Sequence, residues 1–135
     1  MTNAFKGFVK QGRSKVSSLG ERLDELEGII ESLHDALHES DKDISLHIKR
    51  TESTGNDGYS VEMVVMEYRK RFFSLTIPDP DENEIYIKTQ NNLHIVSDKE
   101  DLISVLGQEV SSINFWRTVE ELKRLSMASD DDIPF

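Results

Sequence analysis

The hydrophobic period of the chain changes twice, and each change marks a boundary between elements. From Val16 to Leu37 the apolar residues fall at Val16, Leu19, Leu23, Leu26, Ile30, Leu33 and Leu37, in alternating steps of three and four. That period keeps one stripe on one face of an α-helix. It is also a heptad, with Val16, Leu23, Ile30 and Leu37 at position a and Leu19, Leu26 and Leu33 at position d. Two readings are open: the stripe joins two chains as a coiled-coil homodimer, in which Arg22 at g would face Glu27 at e of the partner, or it packs on the chain's own body. Gly20 and Gly28 lie within the run, each costing about 1 kcal/mol of helix stability relative to alanine. Either way the helix needs its stripe covered to persist.

After Ser40 the period falls to two. Ile44, Leu46 and Ile48 alternate with Ser45, His47 and Lys49, the pattern of a half-buried strand. Thr54-Gly55-Asn56-Asp57-Gly58 supplies turn residues, and Tyr59 to Met66 is strand-like again, which predicts a hairpin. Phe72 to Ile77 is extended in character, either as the far end of one long bent strand or as a new strand beyond a tight turn. Pro78-Asp79-Pro80 stops it, because proline removes a ladder donor and turns its predecessor away from helix. Ile85 to Ile87, a turn at Gln90-Asn91-Asn92, and Leu93 to Val96 complete an antiparallel set.

The helical period then returns. Ser97 resembles an N-cap, followed by acids and by Leu102, Ile103, Val105 and Leu106. A last helix carries Phe115, Trp116, Val119, Leu122 and Leu125 and is expected to end before Ser126. Helix, four to five strands and two helices make an α+β protein. Its expected division is an N-terminal helix over 1–40, an α+β domain over 41–126 and a flexible acidic tail over 127–135.

Charge narrows the classes of partner. The formal net charge is -10, yet residues 1–20 hold Lys6, Lys10, Arg13 and Lys15 and no acid, so the remainder carries -14. A surface of that sign repels nucleic-acid phosphates and favours protein partners. No cysteine is present, which removes disulfides and thiolate metal sites, and no apolar run is long enough to span a bilayer. A cytoplasmic location, no membrane association and no cofactor are expected.

The richest chemistry lies at the end, Asp130-Asp131-Asp132-Ile133-Pro134-Phe135. A terminal Phe135 fills an apolar pocket while its own α-carboxylate meets an arginine or lysine at the rim, a capture that only a chain end offers. Pro134 lowers the entropy lost on ordering, Ile133 adds apolar area, and the three aspartates steer the segment to a basic surface.

This string resembles the acidic tip of the bacterial single-stranded DNA-binding protein over its last six positions. In that family the tip recruits genome-maintenance proteins, among them helicases, a nuclease, a recombination mediator and a clamp-loader subunit. The resemblance implies that Phe135 and Pro134 anchor, Ile133 supports, and Asp130, Asp131 and Asp132 supply the electrostatic part. The rest of the chain departs from the family, since it opens on a long helix and lacks both the expected aromatic platform of an OB-fold and the usual Gly/Pro/Gln linker. The implied function is therefore recruitment of a tail-reading enzyme, or blockade of its pocket.

Weaker signals allow other readings. Arg69-Lys70-Arg71 among Tyr68, Phe72 and Phe73 has the composition of a nucleic-acid contact, and the basic arm up to Lys15 with Phe5, Phe8 and Val9 suits DNA, a membrane surface or a partner helix. The alternative for the cluster is cross-strand pairing with acids while Phe73, Leu75 and Ile77 are buried. A single-stranded DNA-binding protein of non-OB fold, and an immunity-like acidic adaptor with an incidental tail, are the competing functions. Glu31, His34 and His38 share a helical spacing that suits a metal, but a solvated polar face is the expected role. No nucleophile elbow, phosphate loop or metal-hydrolase motif is present, and an enzyme is not expected.

Overall fold

The computed structural model describes residues 4–52 and 57–131, with side chains described as far as Met127. The elements run α1 (Lys6–Ser40), β1 (Ile44–Thr51), β2 (Asp57–Val65), β3 (Tyr68–Ile77), β4 (Ile85–Thr89), β5 (Leu93–Val96), α2 (Lys99–Val110) and α3 (Ile113–Asp131). The strands form one antiparallel meander in the order β1-β2-β3-β4-β5. The α+β class and element order expected from the periodicity are the ones observed.

One sheet face carries the core. Ile44 and Leu46, Tyr59 to Val65 at alternate positions, Phe73, Leu75 and Ile77, Ile85 and Ile87, and Val96 are buried there. They join one cluster with Leu23, Leu26, Ile30 and Leu37 of α1, Leu102 and Leu106 of α2, and Phe115, Val119 and Leu122 of α3. An apolar sheet face must be covered, and here the helical stripes do it.

That burial corrects the coiled-coil expectation. Leu23, Leu26, Ile30 and Leu37 are buried against the chain's own sheet, and Leu19 and Leu33 pack beside them. Of the seven seam residues only Val16 stands out in solvent. The proposed flanking pair is absorbed too, because Arg22 donates to the main-chain oxygen of Glu82 at 2.9 Å. The heptad arises because α1 crosses its sheet over five turns of one face, and steps of three and four serve that packing as well as they serve a second helix.

The uncertain stretch after Met66 is a new strand. Val65 and Tyr68 face each other across a turn at Met66-Glu67, and Met66 adopts φ 57°. The register slips between Val61 and Glu62: Val61 faces Phe73 but Glu62 faces Arg71, so Phe72 is the extra residue of a β-bulge. Phe72 packs edge-on to Phe73 and against Phe115 of α3, with ring centroids 4.8 and 5.1 Å away. The bulge therefore ties the start of α3 to the sheet.

Two helix boundaries differ from the sequence reading. The α2 cap is Asp98 rather than Ser97, its Oδ1 accepting from the Asp101 N–H at 2.7 Å. α3 does not stop before Ser126, which is buried, but continues to Asp131. The turn expected at 54–58 lies mostly outside the described residues, although Gly58 is seen in β2, where an added Cβ would stand 1.9 Å from the Leu75 oxygen.

Candidate functional site

The tail is delivered by α3. At its start Ser112 Oγ accepts from the Phe115 N–H at 3.1 Å, and Trp116 donates through Nε1 to the Val110 oxygen at 2.7 Å, locking the α2–α3 corner. Phe115, Val119, Leu122 and Ser126 then form the buried face, in helical steps of four, three and four. Midway along, Lys123 pairs with Asp41 at the end of α1. The hydrogen bond from Lys123, helped by one from the Asp43 N–H, holds the Asp41 carboxyl below its ordinary range, and the same bond raises Lys123. The middle of α3, at Lys123, is thereby tied to the α1–β1 corner.

The main chain of Asp130 and Asp131 lies in the last turn of α3, while Asp132, Ile133, Pro134 and Phe135, on which the docking expectation chiefly rests, fall outside the described residues. No basic residue occupies that last turn.

The basic cluster falls in β3 and is split by the strand's alternation. Arg69 faces Val64 and Arg71 faces Glu62, on the sheet side away from the helices, whereas Lys70 faces the buried Met63. Lys70, Arg71 and Phe72 line a cleft of about 270 Å³ between the bulge, the β4–β5 turn and the start of α3, with Asn92 and Asn114 on its other walls. Among the described residues, none of Arg69, Lys70 and Arg71 makes a side-chain ion pair or hydrogen bond, in a chain with 26 acids. Phe73, Leu75 and Ile77 are buried as the alternative reading had them, but its cross-strand ion pairs are not formed. The partners across the cleft come from distant stretches, and no local pattern announced them.

The two helical histidines hold β1 to α1. His34 Nδ1 accepts from the Leu46 N–H at 2.9 Å, and His38 Nδ1 lies 2.9 Å from the Ile44 oxygen as its donor. Their rings stack at 5.7 Å between centroids. Among the described residues no group of three His, Asp or Glu side chains is placed to hold a metal.

No family model, no curated protein and no solved structure matches the chain. Among the described residues no helix is long and apolar enough to cross a membrane.

Proposed function

We infer that this chain is a non-enzymatic accessory or adaptor of DNA maintenance, whose segment Asp130–Phe135 imitates the single-stranded DNA-binding protein tip. In this role it recruits tip-reading repair or replication enzymes or competes for their pocket. What supports the reading is the string itself, three acids followed by Ile133, Pro134 and Phe135. Those acids have a use if a basic pocket rim is their partner.

The test is co-purification from a bacterial extract at low salt, with bound proteins identified by mass spectrometry. The chain ending at Phe135 should retain tip-reading helicases or nucleases, and Phe135→Ala or a short extension beyond Phe135 should lose them. Equal retention by all three removes the reading.

A second reading rests on the uncompensated cations. Lys70 and Arg71, which line the 270 Å³ cleft, are the local chemistry of a phosphate contact, with Arg69 next to them in β3. A labelled single-stranded oligonucleotide titrated at low salt decides it: binding that falls with salt and with Lys70→Ala/Arg71→Ala supports it, and no binding ends it.

A further inference from the structure

The apolar stripe of α1 does not stop where the sheet stops. At the seven-residue spacing of position a it runs from Val16 back to Val9, with Phe8 next to Val9 on the flank of the stripe; the three are 72%, 59% and 71% exposed. Every described residue from Ala4 to Ser18 is exposed, so α1 projects about three turns beyond the body as an uncovered arm. Its charges are Lys6, Lys10, Arg13 and Lys15, of which Lys15 pairs with Asp81 at 3.2 Å. A solvated helix interrupted by Gly7 and Gly12 and holding a bare stripe is marginal on its own.

The same chain carries a matching groove. Between α1 and α2 lies an apolar trough of about 530 Å³, floored by Ile29, Leu33, Leu106 and the 50%-exposed Ile103. Gly28 and Gly107 line it, and an added Cβ at either would meet nothing within 4 Å, so a partner backbone can approach closely there. Glu25 and Lys99 both line the trough and pair at 3.3 Å, and Glu21 stands one turn before Glu25 on α1, so acids outnumber bases on that border.

We propose that the arm of one copy of this chain, Lys6 to Val16, seats in the α1–α2 groove of a second copy. The arm offers exposed apolar residues among cations, and the groove offers an apolar floor with Glu21 and Glu25 on its α1 side. The arm does not reach its own groove, because it and the groove's wall are one uninterrupted helix. Every copy carries both halves, so reciprocal exchange closes a dimer. Two tails would then stand on one assembly, where avidity for clustered receptors rises without a new contact.

The chain has no cysteine, so introduced ones are unambiguous. Full-length Val9→Cys and Ile103→Cys chains, mixed and oxidised, should form a mixed disulfide-linked dimer of twice 15.5 kDa, in preference to either self-dimer. Light scattering should give the dimer mass at low salt and the single-chain mass for Phe8→Asp, an exposed change that leaves the circular dichroism unaltered. An Ile103→Lys chain, with a blocked groove and an intact arm, should pair with the Phe8→Asp chain although neither self-associates. Single-chain mass at all concentrations overturns the proposal, as does preferential Val9–Val9 cross-linking. Capture of the arm by anionic vesicles without self-association also overturns it and assigns the arm to a lipid surface.

Discussion

Ile30 and Val16 occupy the same heptad position of α1, yet they sit in opposite surroundings, and truncating each to alanine separates the two readings of that stripe. Ile30 is fully buried beneath the sheet, while Val16 is in solvent. Ile30→Ala deletes three carbons from a packed core and should cost about 2–5 kcal/mol, the transfer term plus an unfilled cavity. Val16→Ala removes two exposed carbons and should fall within about 0.5 kcal/mol, with a slight gain in helix propensity. In urea, with a slope near 2 kcal/mol/M, the first corresponds to a midpoint drop of about 1–2.5 M and the second to almost none. The assay is urea unfolding followed by circular dichroism and Trp116 fluorescence at low micromolar protein. Equal costs for the two, or an Ile30→Ala cost below about 1 kcal/mol, would refute the placement of α1 on its own sheet.

Other consequences follow from single contacts. Gly58→Ala should destabilise by about 1–3 kcal/mol or more, because its Cβ would stand 1.9 Å from the Leu75 oxygen, and backbone yields less readily than a side chain; thermal unfolding checks it. His34→Ala leaves the Leu46 N–H without its acceptor and should cost about 1–3 kcal/mol, with faster amide exchange at Leu46. Lys123→Met should cost about 1 kcal/mol at neutral pH, as befits a partly exposed pair. Because Asp41 is lowered from 3.8, its share is present above that value and lost as pH falls through the lower folded one. Because Lys123 is raised from 10.5, its share is complete below that value and lost as pH rises through the higher folded one. The gap between wild type and Lys123→Met should thus be flat from about pH 4 to 10 and close outside it.

The fold was legible where one physical rule governs. Strict alternation over Ile44–Ile48 marked β1, and Pro78 and Pro80 ended β3 as their missing donors require. The rule failed where two environments impose one pattern, since steps of three and four satisfy a partner helix and an intramolecular sheet alike. The Met66-Glu67 turn was hidden because neither residue announces a left-handed backbone, although Met66 adopts one. Ser126 reads as a terminator of α3, but its position, four after Leu122, buries it and the helix continues. Of the candidate site, the tail's chemistry is local and therefore readable in sequence. The cleft beside Lys70 and Arg71 is assembled from β3, the β4–β5 turn and α3, and only the fold brings those together.

Entry of the chain's end into a tip-binding pocket is read out by competition. A fluorescent peptide bearing the single-stranded DNA-binding protein tip is bound to a purified tip-reading nuclease, and the intact chain is titrated in while anisotropy is followed. The intact chain should displace the peptide fully, Phe135→Ala should abolish displacement, and raised salt should weaken it. Persistent anisotropy at saturating chain, or displacement undiminished by Phe135→Ala, would contradict such entry.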